Sequence, residues 1–193
     1  MIIKFAAAGA ALALGLAGQV QAQDWTGFYA GLSASSATST QTLVPAGQDY
    51  NGSDTSLGIY GGYNHQLANN IVLGGELSYG LGDSGVFAGG AELGMENMVQ
   101  VRARMGYAMD NVMPYLAAGY AQADFSVGGT PFQGLEDSGY NLGVGLEYMF
   151  TEKLSARVEY SVTQFDDVLS PPYGPGTWDR KHEAISFGMG WHF

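Results

Sequence analysis

The sequence predicts an all-β protein, an eight-stranded antiparallel up-and-down transmembrane β-barrel behind a cleavable signal peptide, and three observations carry that prediction. The last nine residues alternate, with Ile185, Phe187, Met189, Trp191 and Phe193 set against Ser186, Gly188, Gly190 and His192. A strand's period of two gathers the large apolar side chains on one face. Chain ends usually fray, so a greasy strand ending on an aromatic residue is expected where a last strand closes onto the first and meets lipid. The same alternation returns in seven earlier segments of about ten residues each. The links between these segments alternate strictly between long and short.

The chain opens on a leader. Met1-Ile-Ile-Lys4 is basic, Phe5 to Ala17 is apolar or small, and Val20-Gln-Ala22 offers small residues for cleavage before Gln23. This is the pattern of a secretory signal peptide, expected over 1–22, with the barrel domain over 23–193. The apolar run is shorter than the roughly 20 residues of a spanning helix, and no later segment supplies one. Cysteine is absent, which excludes a lipid anchor on cysteine and any disulfide framework.

Strand one is expected over Gly27–Ser36, with Phe28, Ala30, Leu32 and Ala34 on one face. Strand two, Ser56–His65, carries Leu57, Ile59 and Tyr63. Strand three, Ile71–Leu81, sets Ile71, Leu73, Leu77, Tyr79 and Leu81 against Gly74, Glu76 and Ser78. Strand four, Met98–Met109, sets Val99, Val101, Ala103, Met105 and Tyr107 against Gln100, Arg102, Arg104 and Gly106. Strand five, Val112–Asp124, is ambiguous by pattern. A two-residue loop at Asp110-Asn111 would face Met109 with Val112, placing Leu116, Ala118 and Tyr120 on the apolar face. Strand six, Ser138–Phe150, strand seven, Leu154–Phe165, and the terminal segment complete the set. The short links are Gln66–Asn70, Asp110-Asn111 and Thr151–Lys153. The long ones are Ala37–Thr55, Gly82–Asn97, Phe125–Asp137 and Asp166–Lys181, rich in Gly, Ser, Pro and Asp. Four long and three short links suit a barrel with both termini in the periplasm and the long loops outside.

Periodicity does not say which face points inward. A lipocalin-like barrel would bury the apolar set around a ligand. Three features favour the membrane arrangement instead. The opposite face is mostly glycine (Gly31, Gly58, Gly62, Gly74, Gly106, Gly119, Gly143, Gly145, Gly188, Gly190), as a narrow lumen requires. Trp25, Phe28, Tyr79, Tyr107, Tyr148, Phe150, Tyr160 and Trp191 lie towards strand ends, as interfacial girdles do. The charges on the small face are few and balanced: Glu76, Glu147 and Glu159 against Arg102, Arg104 and Arg157.

Those six form a lumen charge network with either a structural or a gating role. A three-residue turn pairing Phe150 with Leu154 sets Glu147 opposite Arg157, and Glu76 neighbours Arg102 or Arg104. Eight strands leave little room, so a bridged polar core that plugs the lumen is expected over an ion path. Glu147→Ala is then expected to loosen the barrel or open it by unpairing Arg157.

Two stretches bear a resemblance. Asp24-Trp-Thr-Gly-Phe-Tyr-Ala-Gly31 and Leu146-Glu-Tyr-Met-Phe-Thr-Glu-Lys-Leu-Ser-Ala-Arg-Val-Glu-Tyr160 resemble the small outer-membrane β-barrel proteins of alphaproteobacteria, the "porin family", whose barrel is similar to the membrane domain of outer membrane protein A. The resemblance spans Trp25 to Phe193. It implies location in the Gram-negative outer membrane among lipid and lipopolysaccharide, and insertion by the outer-membrane assembly machinery. The terminal set Ile185, Phe187, Met189, Trp191 and Phe193 would be part of the assembly signal. It also implies exposed, often immunogenic loops and a mainly structural role. No peptidoglycan-binding domain follows the barrel, so tethering through one is not expected.

Composition narrows the functions. Seven basic residues stand against 18 acidic ones, a net charge of −11, which argues against nucleic acid as partner. Catalysis is not expected. His65 and His192 fall at the turn end and His182 at the loop end, and His182 with Asp166, Asp167, Ser170 and Asp179 lies in one Pro-rich loop. Gly80-Leu-Gly-Asp-Ser-Gly85 matches a dinucleotide fingerprint without the helix that motif needs. Asn51-Gly-Ser53 matches a glycosylation acceptor and carries little weight in a bacterial envelope protein. The acid of the long loops (Asp49, Asp54, Asp83, Glu92, Glu96, Glu136, Asp137, Asp166, Asp167, Asp179) would bind cations or, as expected here, keep the surface soluble. No cofactor is expected, and the barrel is expected to be a monomer. The reading is a structural barrel that displays acidic loops. The alternatives are a small diffusion channel, or an adhesin whose binding would be lost with Asp166–Lys181.

Overall fold

In the computed structural model, residues 23–193 are described except 45–47, 82–83, 89–90, 128–129 and 170–176, and side chains are described outside 41–50, 82–96, 124–137 and 166–180. Residues 1–22, where the leader is expected, lie outside the described residues. The strand segments are β1 (Gly27–Val44), β2 (Gln48–Gln66), β3 (Ile71–Leu81), β4 (Ser84–Ala88), β5 (Ala91–Tyr107), β6 (Val112–Val127), β7 (Thr130–Met149), β8 (Leu154–Leu169) and β9 (Thr177–His192).

They form one antiparallel sheet in the order β3-β2-β1-β9-β8-β7-β6-β5-β4, and a β3–β5 pairing closes it. β3 and β4 both pair with β5, from Ile71↔Tyr107 to Tyr79↔Val99 and from Ser84↔Met95 to Ala88↔Ala91. They serve as one interrupted strand, so the closed barrel has eight. First and last strands pair from Tyr29↔His192 to Val44↔Thr177, and the Phe193 amide donates to the Phe28 carbonyl at 3.0 Å. Along β3, which pairs with both β2 and β5, closure leaves no free edge, the condition for a sheet in lipid.

The short links set the register. Met109 pairs with Val112 across Asp110-Asn111 as the two-residue loop requires. Asp110 (φ 53°) and Asn70 (φ 65°) take the left-handed conformation, which Asp and Asn tolerate better than other non-glycine residues. At the third turn the Phe150 amide donates to the Leu154 carbonyl at 2.8 Å, and the Thr151 hydroxyl accepts from the Leu154 amide at 3.0 Å. Glu147 accordingly faces Arg157 in the β7–β8 register.

The strands outrun their apolar stretches. Segments expected as the long loops Ala37–Thr55 and Asp166–Lys181 are largely strand: β1 and β2 stay paired to Leu43↔Gln48, and β8 and β9 to Leu169↔Thr177. Alternation of apolar residues stops where lipid stops, whereas backbone pairing continues in Ser- and Thr-rich segments that suit a pleated sheet. Strands expected to end at Met109 and Phe150 end instead at Tyr107 and Met149.

The apolar face points outward. Phe28, Leu32, Val101, Leu116, Leu142 and Phe187 are each more than half exposed, a distribution that suits hydrocarbon and not water. The small face points inward, and its glycines make room for tyrosines. A Cβ on Gly62 would strike the Tyr29 ring, one on Gly145 the Tyr115 ring, and one on Gly31 the Tyr60 ring. Trp25 departs from expectation. It is fully buried against Val72, Ala108, Met113 and Met149 at the turn end and has no place in an interfacial girdle. It precedes β1, so strand periodicity does not govern it.

Candidate functional site: the lumen of the barrel

The lumen holds three layers. At the turn end the segment before β1 folds inward. The Trp25 amide donates to Gln66 Oε1 at 3.0 Å and its indole Nε1 to the Asp110 carbonyl at 3.3 Å. These bonds pin the indole over Val72, Met113 and Met149, forming an apolar plug. His192 lies edge-on to Trp25 (5.9 Å between ring centroids) and stacks on Tyr29 (5.6 Å).

The charge network lies above the plug, and all six residues are buried. Each comes from an inward position next to a glycine or another small residue. Glu76 is the hub. It pairs with Arg102, with Arg157 Nη1 at 2.5 Å and with Arg104 Nη1 at 3.5 Å, and the Tyr29 hydroxyl donates to it at 3.0 Å. Glu147 accepts from Arg104 Nη2 at 2.8 Å and from the Ser155 hydroxyl at 2.7 Å. His192 Nε2 lies 3.3 Å from the same carboxylate. Glu159 pairs with Arg102 Nη1 at 2.5 Å and accepts from the Tyr115 hydroxyl at 2.9 Å. The guanidiniums lie over aromatic faces, Arg157 over Tyr60 at 3.5 Å and Arg104 over Tyr115 at 4.1 Å. Burying six charges is expensive unless each is paired and hydrogen-bonded. Here three carboxylates meet three guanidiniums, and tyrosine hydroxyls fill remaining lone pairs.

The third layer lies towards the loop end, a cavity of about 80 Å³ lined by serines, by Gln100 and His182, by Arg102, Arg157 and Glu159, and on one side by Leu57, Ile59, Tyr79 and Met98. His182 Nδ1 lies 3.0 Å from the Ser39 hydroxyl.

The structure thus brings all six network residues into one site. The Glu147–Arg157 register holds, yet no ion pair forms between them. Arg157 reaches across the lumen to Glu76, and Glu147 takes Arg104. Register defines Cα neighbours, whereas a long arginine chooses among every carboxylate in a narrow tube. Glu147→Ala would therefore take from Arg104 its nearest carboxylate, leaving it Glu76 at 3.5 Å and the Tyr29 hydroxyl at 2.8 Å, and would leave the Arg157–Glu76 pair in place. Tyr29, Tyr60, Tyr115, Asn141, Ser155 and His192 join the network unforeseen. The inward parity of Tyr29, Tyr60 and Tyr115, opposite glycines on the neighbouring strand, was the available signal. Of the terminal set, Ile185, Phe187, Met189, Trp191 and Phe193 are all exposed on the outer face. His65 points outward and His182 lies far from His192 along β9. The side chains of Asp166, Asp167, Ser170 and Asp179, and most of the acidic loop set, lie outside the described residues. Among the described residues no group of three His, Cys, Asp or Glu is placed to hold a metal ion.

Comparison with known proteins gives this lumen its context. The family model described as the outer membrane protein beta-barrel domain matches residues 8–193. A 25 kDa outer-membrane immunogenic protein of Brucella ovis is 33% identical over 150 residues, covering 75% of this chain and 70% of its own. A 22 kDa outer membrane protein of Rhizobium leguminosarum bv. viciae is 30% identical over 172 residues, covering 88% and 77%. Neither name is enzymatic. Among solved structures, Neisserial surface protein A superposes with a TM-score of 0.60 at 19% identity, over 87% of this chain and 98% of that one, a likeness of fold. The protein belongs to the outer membrane protein β-barrel family, with its place in the outer membrane of Gram-negative bacteria.

Proposed function

We propose that this is a structural barrel, closed to solutes, that contributes to envelope integrity and displays its acidic loop end at the cell surface. The observation that carries the reading is the doubly blocked lumen, with a charge-balanced, hydrogen-bonded network in the middle and the Trp25 plug beneath it. The three short turns and the described N-terminal segment share one end of the barrel, which supports periplasmic termini and outward loops. A leader over 1–22 would deliver the chain to the periplasm. The assembly machinery would then recognise the exposed aromatic face of β9, and lipid and lipopolysaccharide would surround a monomer. No catalytic role or cofactor belongs to this reading.

A gated pore is the second reading, favoured by the cavity on the loop side of the network. Single-channel recording of refolded residues 23–193 in planar bilayers separates the two, with heat-modifiable gel mobility as the check on folding. A folded, electrically silent barrel is expected. Steady openings of the wild-type chain would replace the structural reading with the pore.

A further inference from the structure

We infer that Gln23–Thr26 is a hinged stopper, a segment that swings on Gly27 out of the turn end of the lumen while the barrel stays closed. The inference rests on the plugged lumen of the structural reading and adds a moving part to it. The β-ladder starts at Gly27↔Asn64 on one side of β1 and at Tyr29↔His192 on the other, so the four residues before it are not part of the wall. Gly27 marks the boundary with a φ of +145°, a conformation open to glycine and strained for other residues. A Cβ there would also lie 3.2 Å from the Phe193 carbonyl oxygen. This backbone turn carries Trp25 from the wall into the lumen. A single residue that absorbs a large backbone rotation is how a hinge is built.

The seated form is held at the rim by bonds that water can contest. Besides the two bonds of Trp25 to Gln66 and Asp110, the Gln66 amide donates to the Thr26 hydroxyl at 3.1 Å and the Thr26 amide turns back to Asp24 Oδ1 at 2.8 Å. Gln23 Nε2 reaches the Glu152 carbonyl only at 3.5 Å. These last three are exposed. A segment with exposed bonds and no ladder opens at a lower free energy than the strands around it. Burial of the Trp25 ring against Val72, Met113 and Met149 opposes release and keeps the seated form the major one. Asn64 favours release. It is 1% exposed and stands opposite Gly27, and neither its Oδ1 nor its Nδ2 has a hydrogen-bond partner among the described residues. Along β2 it lies between Gln66, which holds Trp25, and Gly62, which faces Glu76. A buried amide with unmet bonds costs free energy in the seated form, and water entering behind a departing Trp25 restores them. Release breaks no ladder bond, and the charge layer alone then closes the lumen.

The test is hydrogen exchange of the Trp25 indole Nε1–H, followed by NMR in refolded residues 23–193. The reference is the backbone amide of Leu32, whose strand is paired on both sides. Release without unfolding should leave the indole about a hundredfold less protected than Leu32. Gly27→Ala strains the seated backbone and should lower that protection roughly tenfold further, with Leu32 unmoved and the heat-modifiable band retained. Gln66→Ala deletes the acceptor of the Trp25 amide and spares the hinge. It should act in the same direction, and it serves if the Gly27 variant does not fold. Three results would overturn the proposal: equal protection of the indole and Leu32, no change at the indole in Gly27→Ala, or equal losses at both sites in that variant. Steady openings of the wild-type chain would end the structural reading and leave the ratio of the two protections as it is.

Discussion

At the residue scale the informative partnership is between tyrosine and glycine. The six charges were legible in the sequence because charged residues are rare on a face otherwise built of glycine and serine. Tyr29, Tyr60 and Tyr115 were not, because an inward aromatic between outward apolar neighbours looks like a break in alternation. Their use is physical: each ring fills lumen volume that glycines leave, and each ring stacks near a guanidinium in the network. The partner of Arg157 was also illegible, since register gives no distance across a lumen. Gly145 offers the cleanest test, because the atoms nearest a Cβ there all belong to Tyr115. Gly145→Ala should cost about 1–3 kcal/mol through overpacking. In a Tyr115→Ala background the same change should cost almost nothing, a coupling that a double-mutant cycle on urea unfolding reads directly. Additive losses would show that Gly145 is required for some reason other than the ring.

At the scale of elements, every barrel strand was legible, and so were the turn-end boundaries at Gly27, Ile71, Val112 and Leu154, whereas most loop-end boundaries were not. Apolar alternation reports where a strand crosses lipid, and pairing in β1, β2, β8 and β9 continues past that boundary. The segment Gln23–Thr26 is the opposite case, a short irregular piece whose aromatic residue decides what the lumen can do. Its main-chain amide is held by Gln66 at the end of β2, and its indole by the Asp110 carbonyl in the next turn along the rim. The network and the plug are barriers in series, so neither alone governs conduction. Glu147→Ala removes the nearest carboxylate of Arg104 and weakens the upper barrier, yet the plug remains, and the variant should stay silent in planar bilayers. Glu147→Ala combined with Trp25→Ala should give openings that neither single variant shows. Openings from Glu147→Ala alone would show that the Trp25 layer does not seal.

At the scale of the whole molecule the two faces solve opposite solvation problems with one periodicity. Inside, charge is neutralised locally. Outside, an apolar belt runs along the strands, and on seven of the eight a polar residue ends it towards the loop end, at Ser36, Thr55, Asn97, Gln122, Ser138, Gln164 and Glu183. On β7 the outward residues Tyr140, Leu142, Val144, Leu146 and Tyr148 span nine positions, a height of ~23 Å at 3.3 Å per residue and a tilt near 40°. That matches the lipid-facing band of a membrane barrel, and it predicts a depth profile. Lysine at Val144 or Leu146, near the middle of the belt, should cost about 2–4 kcal/mol. Lysine at Ser138, just beyond the belt, should cost nearly nothing. The three single variants, compared by urea titration of the folded band in phospholipid vesicles, measure the profile. A flat response would mean that this face does not contact hydrocarbon, because in water a surface lysine costs the same at every height.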